Sequence, residues 1–560
     1  MSDSLLILCG VFLLFLTSIV YYFHSRTPLW RRAPPPPSPR STLPLPKLHQ
    51  PLHFALLCTG TRGDVQPFVA LAEELSKRGH TVRVCAHEKF KALVLRSSLP
   101  RLIFCPALEC DYFEANSNDW IESKTLSEFI QRTADERSKE HEQNQRAFMR
   151  VCMGGDQPLS KCTKLPKAGD KPLSKLPKAD VIVSSQFTRE PACAAADRLD
   201  IPLWSVNLVY ASPTEAYGPP VGIDASTNPM KFYKTKAEAG TLGRWSHMLQ
   251  WYQLFVGIVV ATLRYTTKVK DTQAFRKKHQ LQEPTTKESL WGPYYTPTLF
   301  AYSTHLLQKP WDWPEWYNVV GFFFLQDDTQ STNDDDNKKK LDQGLQDWLN
   351  QDKQRRPLCI TFSSMHVQSE MILNLLMAAK DRRVIWLYGN NDAMMQALAL
   401  NDGVNAALPG LTGHAVDVYC VARADHRYLL PLCDCVVHHG GAGTASATLQ
   451  AGVPSLIVPQ MLWCDQPGWG EVYRHGQVGV HCSKESTSEE FQLGLKQCDA
   501  IKQQCLEKGQ AIQQENGCKT AVDIMETCLC HVKDAYMKRH CLVHRRGLGG
   551  SEGAGRRKVE

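Results

Sequence analysis

The residues best able to do chemistry sit in one run, Val436-Val-His-His-Gly-Gly-Ala-Gly-Thr-Ala-Ser-Ala-Thr-Leu-Gln-Ala-Gly-Val-Pro454. A short apolar strand ends in His438-His439. The glycines Gly440, Gly441 and Gly443 let backbone amides come close to a ligand, and Thr444 to Gln450 reads as a helix whose N-terminus points at the same spot. Free N–H groups and the positive end of the helix dipole favour an anion there, and the two imidazoles add donors. No Gly-Lys-Ser/Thr follows, so this is not a P-loop; nor is it a G-x-G-x-x-G turn in a first β-α-β unit, which disfavours hydride transfer. Further on, Asp465-Gln466-Pro467 follows a strand that runs to Pro459, so a parallel sheet brings it to the same carboxyl-end rim. A carboxylate beside a carboxamide can bracket vicinal hydroxyls, one accepting and one donating. Taken alone, Asp-Gln-Pro is also a common turn.

These residues need a sheet to hold them. His53 to Cys58 reads as an apolar strand, Gly60 to Asp64 as a tight turn, Pro67 to Arg78 as an amphipathic helix stopped by Gly79-His80, and Val82 to Ala86 as a second strand. Asp180 to Ser184 and Ile201 to Val206 read as further parallel strands around a helix from Pro191 to Arg198. The second half restarts with strands at Leu358–Phe362, Val384–Tyr388, Val416–Val421, Cys435–Val437 and Ser455–Val458. The fold class is α/β, with two Rossmann-like, doubly wound domains facing a cleft.

The chain has 560 residues, 43% hydrophobic and 22% charged, which excludes a wholly disordered or fibrous protein. Its net charge of +7 gathers in terminal and loop segments such as 338–340 and 556–558, a poor footprint for nucleic acid, which is not expected as a partner. The 20 cysteines lack paired zinc-ligand spacing and read as reduced, mostly buried thiols. Leu5 to Phe23 is a nearly unbroken apolar run, about as long as a bilayer core at ~1.5 Å per residue. Arg26, Arg31 and Arg32 follow it, and Asn-X-Ser/Thr sequons are lacking, so the expectation is one transmembrane anchor with the body on the cytoplasmic side, at the endoplasmic reticulum or a related membrane. A cleaved signal peptide is the alternative. The expected organisation is an anchor at 5–23, a proline-rich linker at 24–51, an N-terminal domain at 52–325, a linking loop at 326–342, a C-terminal domain at 343–535 and a basic tail at 536–560. A near-duplication at 155–175 reads as a surface loop.

His438 to Pro454 with Asp465-Gln-Pro-Gly-Trp-Gly-Glu471 resembles the donor-binding signature of the GT-B glycosyltransferases that include sterol 3-β-glucosyltransferases and bacterial antibiotic glycosyltransferases. Thr59-Gly-Thr-Arg-Gly-Asp-Val-Gln-Pro-Phe68, with Gly79-His80 and Ala86-His87-Glu-Lys-Phe90, is similar to that family's N-terminal acceptor-domain motif. Lys309-Pro-Trp-Asp-Trp-Pro314 with Gly321-Phe322 resembles the run before its interdomain link.

The resemblance implies a nucleotide-sugar substrate, UDP-glucose in most of the family, held by the C-terminal domain. His438, His439, Gly440, Gly441, Gly443, Thr444 and Ser364 would contact the diphosphate; Asp465 and Gln466 would contact the sugar. Thr61, Arg62, Gly63, His87 and His426 would line the cleft. Asp64 matches the family's general base, and helix capping is its structural alternative. In the implied inverting displacement, Asp64 takes the acceptor's proton while amides and His439 stabilise charge on the departing diphosphate. No cofactor or metal ion is expected.

Two segments depart from the family. Thr361-Phe-Ser-Ser364 stands where Gly-Phe-Gly-Ser is usual, and Asp425-His-Arg-Tyr-Leu-Leu430 keeps only the His and one Leu of Pro-His-Asp-Trp-Leu-Phe. The aromatic and apolar stretch Trp245 to Leu263 reads either as a buried helix or as a lid or bilayer contact, and with the anchor it favours a membrane lipid as acceptor, a sterol 3-β-hydroxyl foremost. A non-catalytic nucleotide-sugar or lipid-binding scaffold, and a transferase for another lipid or small-molecule alcohol, are the competing readings. The oligomeric state is open.

Overall fold

A computed structural model describes residues 50–106, 148, 151–152, 177–199, 201–210, 212, 214–217, 219, 231–265, 296–325, 341–363, 365–389, 391, 417–461 and 464–530, with only the backbone at 190, 197, 252–265 and 530. The expected anchor, the duplicated loop at 155–175 and the tail fall outside these residues, as do all but the edges of the two linkers. Among the described residues no helix is long and apolar enough to cross a membrane.

Two all-parallel sheets form the frame. The first has β1 (His53–Leu57), β2 (Thr81–Ala86), β3 (Leu102–Pro106), β4 (Val181–Ser185), β5 (Leu203–Asn207), β6 (Thr298–Phe300) and β7 (Tyr317–Val319), in the order 3-2-1-4-5-6-7. The second has β8 (Leu358–Thr361), β9 (Arg383–Leu387), β10 (Asp417–Val421), β11 (Cys435–His438), β12 (Ser455–Ile457) and β13 (Gly479–His481), in the order 10-9-8-11-12-13. Each order reverses once, between β1 and β4 and between β8 and β11, where Leu56 pairs with Val84 and Val183, and Val437 with Ile360 and Leu456. At such reversals the loops leave in opposite directions and open a crevice at the carboxyl ends of the strands. The strands read as unbroken apolar runs because helices cover both faces; β1, β4 and β8 are buried along nearly their whole length.

The helices that matter here are α1 (Arg62–Lys77), α2 (Arg189–Leu199), α3 (Lys236–Tyr265), α4 (Gln343–Gln351), α5 (Ser369–Ala378), α6 (His426–Leu429), α7 (Ala442–Gln450), α8 (Gln466–His475), α9 (Ser488–Ala500), α10 (Lys502–Gln514) and α11 (Gly517–Cys530). α1 starts five residues before the Pro67 start expected from the sequence. Thr61 and Asp64 form a capping box that nucleates it inside the supposed turn, and the chain absorbs Pro67 within the helix. α3 bends at Gly240, which has φ 58°.

One apolar cluster joins the halves. Tyr210, Phe300, Tyr302 and Trp313 of the first pack with Ala445, Leu449, Trp469 and Tyr473 of the second. α11, last of the C-terminal half in sequence, lays Cys518, Ala521, Val522 and Met525 into the core of the first sheet. Among the described side chains the cysteines form no disulfide and most are buried, as their scatter predicts.

Candidate active site

The second sheet's reversal point gathers two loop ends. Ser363 follows β8 and His438-His439 close β11. Ser363 Oγ lies 3.4 Å from Thr444 Oγ1 in the first turn of α7, bridging the two loops. Ser363 has φ 55°, the left-handed region where glycine is unstrained, at the position where the resembled pattern carries its second glycine. Ser364, the hydroxyl singled out from the sequence, is outside the described residues. Gly440 turns the chain at φ 88°; a Cβ there would stand 2.8 Å from Gln466 O and 2.9 Å from Ile457 Cγ2, so the turn requires glycine.

His438 is fully buried. Its Nδ1 accepts from the Gly440 N–H at 3.1 Å. Burial, then the fields of His439 and His426, push it well below the usual imidazole range. The neutral ring therefore carries its proton on Nε2, and that buried N–H has no partner. His439 is held neutral with a pKa of about 4 by burial and by His426, and its buried Nδ1 is likewise unpartnered. Two consecutive imidazoles with orphan nitrogens at a sheet reversal point mark a place built to meet a polar ligand. His426, expected in the cleft, belongs to this cluster through those fields. It opens α6, which Asp425 caps by accepting from the Arg427 N–H at 3.0 Å.

The first domain supplies the facing wall. Asp64, at the third position of α1, accepts at Oδ2 from the Thr61 N–H (2.8 Å) and the Thr61 hydroxyl (3.0 Å). The capping alternative is thus observed, and it leaves Oδ1 uncommitted. Burial raises the Asp64 pKa to about 6 despite the Thr61 bonds, with Asp465 adding repulsion from across the cleft. Asp465, raised by burial to about 6, heads α8. The N-termini of α1 and α7 meet closely: a Cβ on Gly443 would stand 3.3 Å from Gly63 Cα. Arg62, bonded to Gln66 at 3.1 Å, acts electrostatically on Asp425 and His426 of the opposite domain.

Two of the expected residues also make structural bonds of their own. Gln466 is buried, and its Oε1 accepts from Gln460 N (2.8 Å) and Met461 N (3.1 Å), so its carbonyl shapes its own loop. His87 ends β2 at the same rim but uses Nδ1 to accept from Lys89 N at 3.2 Å, capping the turn Glu88–Phe90. The sequence reading passed over Tyr210, which follows β5. Its ring packs edge-on to Trp469 at 5.7 Å, it feels the charge of Asp465, and its buried hydroxyl has no partner. Its place just beyond a buried parallel strand was the available signal. Among the described residues no three His, Cys, Asp or Glu side chains are grouped as metal ligands.

Comparison with known proteins agrees with this geometry. Residues 54–131 match the glycosyltransferase family 28 N-terminal domain, and residues 404–497 match the erythromycin biosynthesis protein CIII-like C-terminal domain. Two sterol 3-beta-glucosyltransferases of Arabidopsis thaliana are 29% and 25% identical, over 77% and 84% of this chain and 57% and 67% of their own. One from Leptosphaeria maculans is 24% identical over 84% of this chain and 28% of its own. The chain thus spans roughly a quarter to two thirds of the length of these curated relatives. Among solved structures, the glycotransferase of kitacinnamycin superposes with a TM-score of 0.54 at 14% identity, covering 86% of this chain and 99% of the other. The spinosyn forosaminyltransferase gives 0.51 at 14% identity with the same coverage. The chain has the GT-B fold and, over most of its own length, resembles in sequence the sterol 3-beta-glucosyltransferases.

Proposed function

We propose that the protein is an inverting glycosyltransferase that moves a hexosyl group, glucose from UDP-glucose, onto the 3-β-hydroxyl of a sterol or a kindred lipid alcohol at a membrane. The observation that carries this reading is the opposition, across one cleft, of a half-buried carboxylate with a raised pKa, Asp64, and an anion-ready turn formed by His438, His439 and the α7 N-terminus. The diphosphate meets the α7 amides and the imidazole N–H donors, which supply hydrogen bonds without a resident positive charge. The sugar lies toward Asp465 and the Tyr210 hydroxyl. The acceptor hydroxyl approaches Oδ1 of Asp64. As its oxygen bonds to the anomeric carbon, its proton passes to Asp64 and the bond to the diphosphate oxygen breaks, leaving UDP. A base with a pKa of about 6 is ionised at neutral pH and still basic enough to help an alcohol attack. In this proposal the chemistry needs no metal ion, and the body works on the cytoplasmic side of an endomembrane.

The test is transfer of radiolabelled glucose from UDP-glucose to a mixed sterol and lipid extract by wild type and Asp64→Asn. A steryl glucoside from wild type alone supports the reading. Absence of product from a folded wild type across several UDP-sugars and lipid classes would favour a nucleotide-sugar or lipid-binding scaffold instead.

A further inference from the structure

A cavity of about 200 Å³ opens at the seam of the two halves. None of its walls belongs to the site above. Tyr233, Lys234 and the 304–311 loop after β6 come from the first half; His475 and Gly476 at the end of α8, and Lys508 on α10, come from the second. α8 leads from the Asp465 rim to His475, so its ten residues, at ~1.5 Å each, separate the two places by about 15 Å.

Its charge is one-sided. Lys309 Nζ donates to Pro314 O at 3.0 Å and Lys508 Nζ to Gly476 O at 2.7 Å, leaving donors on each ammonium. Among the described residues, neither these nor Lys234 has a carboxylate within ion-pair distance. The neighbouring acids bond wall residues without pairing with the lysine ammoniums: Glu515 accepts from Ser303 (3.0 Å) and lies 3.7 Å from His305, its second oxygen unpartnered, and Glu238 accepts from the Lys234 backbone N–H (2.8 Å). Glu315 is the acid whose field reaches Lys309. Burial lowers Lys309 to about 8 against that field; burial, and then Lys234 against the opposing Cys505, lowers Lys508. Burial and the charges of Lys234, Arg474 and Lys508 hold His475 down, with Glu238 opposing. Lys234 and Lys309 are exposed and Lys508 is half-buried, so three positive charges share one solvent-reached recess, an arrangement that attracts an anion. The space far exceeds the ~10–15 Å³ one water needs, and falls short of the ~300–1,000 Å³ of pockets that enclose whole ligands. That is room for a compact tetrahedral anion with the remainder of its molecule outside.

We propose that this cavity is a second anion site that takes a phosphate group, from a phospholipid headgroup or from a free phosphate ester, between Lys234 and Lys309 on one side and Lys508 on the other. A lipid source has support beside the cavity. Tyr233 packs under Gly243 of α3, and that helix turns Leu242, Leu249 and part of Trp245 outward on one face.

Equilibrium dialysis of the full chain with radiolabelled inorganic phosphate tests the site, using wild type, Lys309→Gln/Lys508→Gln, Lys309→Arg/Lys508→Arg, and His439→Ala as the control at the other site. Phosphate affinity is expected to fall about tenfold or more in the Gln pair, from loss of charge-assisted bonds, and to persist in the Arg pair and in His439→Ala. Flotation with phosphatidylcholine vesicles, with and without phosphatidic acid, names the source. Binding that needs both phosphatidic acid and the lysines points to lipid; dialysis binding with no vesicle difference points to a free ester. Unchanged phosphate binding in the Gln pair, equal loss in the Arg pair, or loss only in His439→Ala overturns the proposal. None of these readouts depends on sugar transfer.

Discussion

Two carboxylates from different domains, both raised to about 6 by burial, set the tone of the cleft. A raised acid binds its proton more tightly in the fold than in the unfolded chain, so its ionisation destabilises the fold. That penalty is absent below the unfolded pKa near 4, grows as pH rises, and is complete above 6. Asp64→Asn keeps an oxygen to accept from Thr61 yet cannot ionise. It is expected to raise the thermal midpoint at pH 8, by stability on the order of 2 kcal/mol, with no gain at pH 4. The same substitution should lower transfer by about 10²-fold or more, and the wild-type kcat/KM should climb between pH 5 and 7 with an inflection near 6. A variant equally stable at both pH values would refute the burial account. Ser363 carries the other residue-scale consequence. Ser363→Gly removes a left-handed non-glycine residue and is expected to stabilise by about 1 kcal/mol, read by denaturant midpoint. It also removes the hydroxyl facing Thr444, so UDP affinity should move little if phosphate meets backbone amides and fall if it meets that hydroxyl. The meeting of Asp64, His439 and Asp465 at one cleft was legible in the sequence because charge and turn-forming residues at strand ends announce themselves. The commitment of Gln466 to Gln460 and Met461 was not, because loop shape chooses a carboxamide's partner.

Nine of the thirteen parallel strands were readable as apolar runs ended by polar residues, each within one or two residues of its observed ends, while β3, β6, β7 and β13 were not. Short strands such as β6 and β7, three residues each, hid in aromatic segments whose packing looks the same in strand or loop. The start of α1 was misread because Pro67 was weighed as a first-turn residue, whereas the Thr61–Asp64 box had already fixed the helix. That earlier start brings the α1 N-terminus against that of α7. Gly443→Ala tests the contact. An added Cβ at 3.3 Å from Gly63 Cα forces the two helix starts apart by a few tenths of an ångström. The expected result is a stability change below about 1 kcal/mol, since alanine suits a helix, with a several-fold fall in kcat/KM. A variant with wild-type turnover would show that the two helix starts need not approach this closely during the reaction.

At the scale of the molecule, α11 returns from the second half to lie on the first, and Arg78 is where it is fastened. Its guanidinium reaches Glu74 (2.9 Å), Asp523 (2.6 Å) and Glu526 (2.7 Å), while His80 meets Glu526 at 3.0 Å. Burial works to raise Asp523 and Glu526, but the bonds from Lys519 and Arg78 to the first, and from His80 and Arg78 to the second, outweigh it and hold both below the usual carboxylate range. Depressed acids act opposite in sign to Asp64 and Asp465: their contribution is present above the unfolded pKa of about 4 and is lost as pH falls through the folded values. The tie is partly exposed, so screening reduces its worth, and Arg78→Ala is expected to cost about 1–2 kcal/mol at pH 7. The deficit should begin to shrink below about pH 4 and go on shrinking as pH falls through the folded values, below which the acids are protonated in both states. Denaturant unfolding of wild type and Arg78→Ala at pH 7, 5 and 3.5 measures it. A deficit that stayed constant across that range would mean that Arg78 acts through packing of its stem and not through its charges. Between about pH 4 and 6.5 the cleft acids and the cleft imidazoles pull in opposite directions. Ionising Asp64 and Asp465 costs stability as pH rises, while His426, His438 and His439, which burial holds neutral in the fold, add stability as the unfolded chain's imidazoles lose their protons. The imidazoles thus offset the penalty of the cleft acids in the range where Asp64 ionises.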